Sequence, residues 1–159
     1  SVGGGGSGSG HSRIFKLASD IATLTGPAAK DGALREKIAD WFVQAEGLKY
    51  TTYRTMTALS RGQTPGPESS IGKVVTATLM QDMANAALEL EDQYGIINDP
   101  ELAPLAAAFQ TSLMAAPGLR IAGGTDEILR NIIAERILGL PQDVRLDKEV
   151  AFKDIPSGR

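Results

Sequence analysis

The chain has 159 residues, of which 42% are apolar, and a formal net charge of −3. This composition predicts one globular domain with a sizeable core and argues against wholesale disorder. The basic residues are scattered, so no nucleic-acid partner is expected. No apolar run reaches the roughly 18 residues that cross a bilayer, and no signal peptide opens the chain. A cytoplasmic location is therefore expected.

The low content of cysteine and histidine argues against several classes of site. The sequence has no cysteine and one histidine, His11, which lies at the edge of a glycine-rich opening and is interpreted as a loop residue. A zinc or di-iron site normally needs several histidine or cysteine ligands, and a Ser–His triad needs a positioned imidazole. Hydrolase and metalloenzyme functions are therefore disfavoured, and no metal site is expected.

The first part of the chain predicts a flexible opening followed by two helices. Residues 1–11 form a Gly/Ser-rich segment that is expected to be flexible, either as a native loop or as an artificial linker. A short amphipathic helix is predicted over residues 12–24, with Ser12 as its N-cap. The longest helix is predicted over residues 31–60. Its apolar positions repeat alternately at intervals of four and three residues, at Leu34, Ile38, Trp41, Ala45, Leu48 and Thr52.

Three further helices complete the predicted fold. They are expected over residues 68–91, over 101–114 with a break at Pro117-Gly118, and over 125–138 with Ile128, Ile132 and Ile137 facing inward. Residues 142–159 are expected to form an extended surface tail. No strand pattern is evident, so the sequence predicts an all-α, up-and-down four-helix-type bundle over residues 12–141.

The segment before the last predicted helix is the best candidate for a binding site. Gly123 and Gly124 allow a tight backbone approach, and Thr125 suits the N-cap position. Asp126 and Glu127 complement the positive end of a helix dipole, which a purely structural role explains. Alternatively, the two glycines and Thr125 offer N–H groups and a hydroxyl to a ligand. The two acids argue against a phosphate at that point and favour a neutral part of a cofactor.

Other side chains are weaker candidates for a site. Arg54, Lys73 and Arg136 are cations that could meet an anionic partner, although basic residues on long helices are usually solvated. The aromatic residues Trp41, Tyr50 and Tyr53 favour the core or a bundle interface over a stacking platform. Glu46 and Glu89 would be candidate catalytic carboxylates only if they were buried.

The run from Gly118 to Pro141, GLRIAGGTDEILRNIIAERILGLP, resembles the C-terminal signature of the acyl-CoA dehydrogenase family. The turn at 61–68, the following S-x-x-K at 70–73 and the order of the helices agree with this resemblance, which runs from about Ile14 to the end. The branch that it resembles is common in bacterial lipid and sterol degradation. The resemblance also favours a native origin for the glycine-rich start.

The resemblance implies an FAD-dependent oxidoreductase that oxidises the Cα–Cβ bond of an acyl-CoA and passes electrons to an electron-transfer flavoprotein. It also implies a homo- or hetero-oligomer with FAD at the subunit boundary. Thr125 and Glu127 match positions that contact FAD, Gly124 adjoins them, and Glu89 falls near a position that touches the neighbouring subunit's cofactor. The glycine pair usual just after Glu89 is replaced here by Asp92-Gln93.

No catalytic residue is assigned, because Gly123 occupies the position of the usual catalytic glutamate. The expected role is therefore a C-terminal domain that supplies part of the FAD site and the oligomer interface, and that is inactive alone. The alternative is a non-catalytic bundle, either a subunit or an interaction domain of a heteromeric complex.

Overall fold

The structure is a computed structural model that describes residues 10–23, 26–64, 66–142 and 150–155. These residues form an all-α bundle, which confirms the predicted fold class. The helices are α1 (Gly10–Asp20), α2 (Gly32–Ser60), α3 (Ser69–Glu91), α4 (Ala108–Ile121) and α5 (Asp126–Arg136). Most of the predicted flexible segment (1–9) and of the predicted tail (143–149 and 156–159) lies outside the described residues, so both remain predictions.

The two longest helices begin and end within a residue of their predicted bounds. The N-cap of α2 is Asp31, whose carboxylate accepts a hydrogen bond from the backbone N–H of Leu34 at 2.7 Å. Such a cap satisfies one of the N–H groups that a helix start leaves without an intrahelical partner. A long apolar period explains why both helices were predictable, and in α2 the side-chain cap adds to it.

Helix α3 is the centre of the bundle, since it packs against each of the other four helices. The main core gathers apolar side chains from α1, α2, α3 and α4. Its buried members are Ile14, Leu17, Trp41, Leu79, Ala86, Ala87 and Phe109. Trp41 is thus a core residue, and the core was one of the two locations favoured for it.

The second half of α2 contributes little to this core. Beyond Leu48, no residue of α2 joins either core cluster among the described residues. Four threonine hydroxyls there donate to the backbone carbonyl four residues earlier, from Thr51, Thr52, Thr55 and Thr57. Bonds of this kind slightly destabilise and often bend a helix.

Three expectations for the first 30 residues were wrong. Helix α1 starts at Gly10, before Ser12, and ends at Asp20 rather than at residue 24. His11 belongs to this helix, where its ring meets Phe42 edge-on with 5.3 Å between centroids. A minimal antiparallel pair follows, Ala22–Thr23 with Gly26–Pro27, because the chain reverses direction at once to reach α2.

The prediction for the fourth helix was displaced by seven residues. Residues 104–107 form a 3₁₀ turn in which Leu105, Ala106 and Ala107 adopt positive φ near 50°, so the helix can begin only at Ala108. Pro117 lies inside α4 and does not break it. An apolar pattern could not reveal left-handed alanines, which are uncommon.

The inward face of α5 was also predicted wrongly. Ile128 and Ile137 are exposed, and the buried residues are Asp126 and Leu129. None of the described helices is both long and apolar enough to span a membrane.

Candidate functional site: the glycine loop before α5

The candidate site is the glycine loop, defined here as residues 122–125, between α4 and α5. Gly123 and Gly124 have φ of +67° and +108°, the left-handed region in which side chains are strained. This geometry turns the chain sharply enough for α5 to start beside the end of α4. The two glycines are therefore required by the backbone, whatever else they do.

Lys73 holds the glycine loop from the first turns of α3. Its Nζ donates to the carbonyl oxygen of Gly124 at 2.5 Å and also to that of Ala122. The lysine of the S-x-x-K motif is thus engaged with the protein backbone rather than solvated or facing an anionic partner. Its charge adds a positive potential directly behind the loop.

Asp126, in the first turn of α5, is buried and paired. Its Oδ2 lies 2.6 Å from Nε of Arg120, and the same guanidinium donates to Oε1 of Gln81 at 3.0 Å. Only 3% of Asp126 is exposed. Because Arg120 compensates this carboxylate, only one of the two acids at the start of α5 contributes an unpaired negative charge.

That remaining acid is Glu127, which is exposed next to the N-cap Thr125. The Thr125 hydroxyl accepts from the backbone N–H of Ile128 at 3.4 Å. Hydrogen bonds from the residue's own N–H and from the Thr125 hydroxyl lower the pKa of Glu127. Glu127 therefore stays ionised at neutral pH and discourages a phosphate at this point.

An open groove of about 280 Å³ runs along the start of α5. It is lined by residues from three helices and the glycine loop: Gln81, Pro117, Arg120, Ile121, Thr125, Asp126 and Glu127. Sites that enclose a whole small molecule have about 300–1,000 Å³. This groove can therefore enclose only part of a larger ligand, to which it offers hydroxyl, carboxylate and guanidinium groups.

Glu89 does not belong to this site within one chain. It is exposed near the C-terminal end of α3, sixteen residues after Lys73, which corresponds to about 24 Å along the helix axis. Asp92, which follows, has φ of +49°. The backbone at one of the two usual glycine positions thus has a conformation that glycine adopts readily, although an aspartate occupies it.

The weaker candidates do not converge on one place. Glu46 is paired with Lys49 on the surface of α2, and Tyr50 and Tyr53 are exposed with their rings edge to face at 6.1 Å. Arg54 lines a separate small hollow of about 130 Å³ beside Glu68. Within the described ranges, no group of three or more His, Asp or Glu side chains could hold a metal ion.

Among the described residues, sequence reasoning missed two polar pairs that contain a buried carboxylate. One is Arg120 with Asp126; the other joins Gln110 to Glu91, with Nε2 donating to Oε2 at 2.7 Å. Glu91 and Gln110 are only 4% and 6% exposed. A polar residue on the apolar face of a predicted helix was the available signal, but its partner depends on how α3 and α4 pack.

Comparison with known proteins places the chain in one family. The profile described as "Acyl-CoA dehydrogenase, C-terminal domain" matches residues 3–138. Acyl-CoA dehydrogenase IpdE1 of Mycolicibacterium smegmatis is 28% identical over 136 residues, which cover 85% of this chain and 31% of that protein. Acyl-CoA dehydrogenase FadE34 of Mycobacterium tuberculosis is 26% identical over 123 residues, which cover 77% of this chain and 16% of that protein.

A solved structure shows the same fold. The ChsE4–ChsE5 complex of Mycobacterium tuberculosis superposes with a TM-score of 0.72 and 22% identity over 84% of this chain and 35% of that one. The chain spans about a third or less of the length of these proteins. It belongs to the acyl-CoA dehydrogenase family and corresponds to the family's C-terminal domain.

Proposed function

We propose that this chain supplies part of the FAD site and part of the subunit interface of an acyl-CoA dehydrogenase that oxidises the Cα–Cβ bond of an acyl-CoA thioester. The observation that carries the proposal is the glycine loop, held from behind by Lys73 and open at its front to the groove beside Thr125. The Thr125 hydroxyl caps α5, and Thr125 also lines the groove, so helix capping and cofactor binding would use the same residue.

The residues of the groove fit a polar, uncharged part of FAD. Thr125 and the first turn of α5 offer donors that a helix leaves without intrahelical partners. Arg120 neutralises Asp126, whereas Glu127 remains anionic and disfavours the pyrophosphate. Gly124, Thr125 and Glu127 are thus the proposed contacts, and the pyrophosphate has to be held elsewhere.

When bound, FAD supplies the acceptor for the hydride that leaves the substrate's β-carbon. The residues of this chain would orient the cofactor and exclude water from one side of it. Gly123 has no side chain and cannot accept the α-proton. The base must therefore come from residues outside the glycine loop, and the chain alone is expected to show no dehydrogenation with an artificial electron acceptor.

Glu89 is proposed as a contact for the cofactor of a neighbouring subunit. It lies too far from Thr125 for both residues of one chain to contact the same part of one cofactor. The oligomer is either a homo-oligomer or a heteromer. The proposed partners are the acyl-CoA substrate, either fatty acyl or steroid-derived, and an electron-transfer flavoprotein. A cytoplasmic location fits this proposal.

The second candidate function is a non-catalytic bundle of a heteromeric dehydrogenase-like complex. The lack of a side chain at Gly123 favours it, and the similarity to a structure described as a complex of two chains is compatible with it. In this case the bundle would bind a partner chain without contributing to a flavin site.

Flavin retention by the natural full-length protein that contains this sequence separates the two candidates. Stoichiometric FAD after gel filtration, read by visible absorbance, supports the first function, and its absence supports the second. Replacing Thr125 with alanine and Glu127 with glutamine should each weaken FAD binding about tenfold, by loss of a hydrogen bond of roughly 1.4 kcal/mol. Glu36→Gln, an exposed substitution on α2, is the matched control and should change nothing.

A further inference from the structure

A second cavity, named here the α3-end cavity, lies at the opposite end of α3 from the glycine loop. Its volume is about 560 Å³, which is within the range of small-molecule sites. Apolar side chains form much of its wall, from α1 and from both ends of the loop between α3 and α4: Leu17, Ile21, Leu90 and Leu105. The cavity therefore suits a ligand with an aliphatic portion.

The charged groups that the described residues contribute to the α3-end cavity all have one sign. Asp20 comes from the end of α1, Glu91 from the end of α3 and Asp92 from the turn that follows, and no basic residue within the described ranges lines the cavity. The C-terminal end of α3 adds the negative pole of a helix dipole. An anionic ligand is therefore disfavoured and a cationic one favoured.

Glu91 gives this preference a definite contact. Its side chain is 96% buried, and Oε1 has no hydrogen-bond partner within the described part of the chain. Its one polar partner there is neutral, the Nε2 donor of Gln110 on Oε2. A buried carboxylate with an unfilled acceptor position is stabilised by a donor, and a cationic donor also offsets its desolvation. Because Oε1 is itself closed to solvent, the carboxylate has to turn toward the cavity to accept from a ligand there.

Among cations, the residues that line the cavity favour an ammonium group that carries an alkyl chain. A divalent metal would need several oxygen ligands close together, and the described residues contain no such group. Apolar walls suit methylene groups, and the ring of Tyr94 in the cavity wall is half exposed and offers a cation–π face. We infer that the α3-end cavity binds a primary alkylammonium group, either of a free amine or of a lysine side chain from another polypeptide, with Glu91 as its acceptor.

The test is calorimetric titration of the 159-residue chain with n-butylammonium, the analogue of a lysine side chain, and with n-hexylammonium. We expect both to bind, and 1-butanol and butyrate not to bind. Glu91→Gln should weaken n-butylammonium at least tenfold, whereas Glu36→Gln should leave it unchanged. If circular dichroism shows that Glu91→Gln is misfolded, Asp20→Asn replaces it, with an expected loss of about threefold.

Chain length distinguishes the two sources of the ammonium group. A free amine whose tail lies along the apolar wall should bind about fourfold tighter for each added methylene. Equal affinities for the two ammonium ions would instead assign the site to a lysine side chain. Three results would each overturn the inference: no binding of either ammonium ion, equal binding of 1-butanol, or full binding by a folded Glu91→Gln or Asp20→Asn variant. Because FAD retention is measured separately, this test and that of the proposed function can fail independently.

Discussion

At the scale of single residues, the two carboxylates that are buried in the described part of the chain have opposite kinds of partner. Asp126 faces the guanidinium of Arg120, whereas the described contact of Glu91 is the neutral amide of Gln110. Burial therefore raises the pKa of Glu91, and the hydrogen bond from Gln110 opposes this only in part. The same residue that makes the α3-end cavity acidic thus costs the fold stability.

Glu91→Gln is expected to stabilise the chain at neutral pH. The new amide removes a buried charge and can donate to Oε1 of Gln110, which also lacks a partner among the described residues. We expect a gain of about 1 kcal/mol in the free energy of unfolding, measured by urea denaturation at pH 7.

The pH dependence of this gain has a definite sign. A carboxyl whose pKa is raised by folding stabilises the native state below its unfolded pKa, and that contribution is lost as the pH rises through the folded pKa. The advantage of the glutamine should accordingly shrink as the pH falls through the raised pKa of Glu91, and it should be lost below the ordinary glutamate value of 4.5. A constant advantage down to pH 3 would contradict the assignment to charge burial.

At the scale of elements, a helix was predictable where the apolar pattern repeats over many residues. It was not predictable where the backbone conformation is unusual. The long apolar periods of α2 and α3 specified both helices nearly to the residue. The start of α4 depended instead on three left-handed residues and on a proline tolerated within the helix. Nothing in an apolar pattern distinguishes such residues from ordinary helical ones, because the conformation is imposed by packing around them.

The local geometry of the glycine loop was predictable only in part. Two glycines before a threonine indicate a turn and a cap from local chemistry alone. The role of Lys73 could not be predicted, since it joins residues 49 and 51 positions apart. Contacts at that sequence separation exist only once α3 and α5 have packed.

Lys73→Met should loosen the glycine loop while α3 stays helical. Methionine keeps the aliphatic volume but removes the donor for two loop carbonyls, so we expect a loss of about 1–2 kcal/mol in unfolding free energy. Amide exchange at residues 122–128 should accelerate more than exchange within α3. Lys49→Met, which removes an exposed surface pair on α2, is the control and should cost well under 1 kcal/mol. Equal losses for both variants would argue against the anchoring role.

At the scale of the whole molecule, α2 presents a large uncovered apolar surface. Exposed side chains along it include Phe42, Val43, Tyr50, Tyr53, Met56 and Leu59. Apolar patches of this kind usually mark an interaction site. This surface supports the proposed subunit interface. None of the α2 side chains just named lines the α3-end cavity or the groove beside the glycine loop.

Self-association of the chain is the expected consequence of this surface. Sedimentation velocity should show a dimer whose fraction rises with concentration. Met56→Glu, within this exposed apolar surface, should shift the distribution toward monomer. Lys37→Glu, an exposed change elsewhere on the same helix, should not. A wild-type monomer at high concentration would contradict this expectation.

The threonine-rich second half of α2 adds a mechanical property to that surface. Four hydroxyls there compete for carbonyls already used by the helix ladder, and core packing beyond Leu48 is sparse. This stretch should therefore be the compliant part of a helix about 43 Å long. A surface that can change its curvature at little cost can fit two differently shaped neighbours, so one such helix would serve in a symmetric pair and in an asymmetric one.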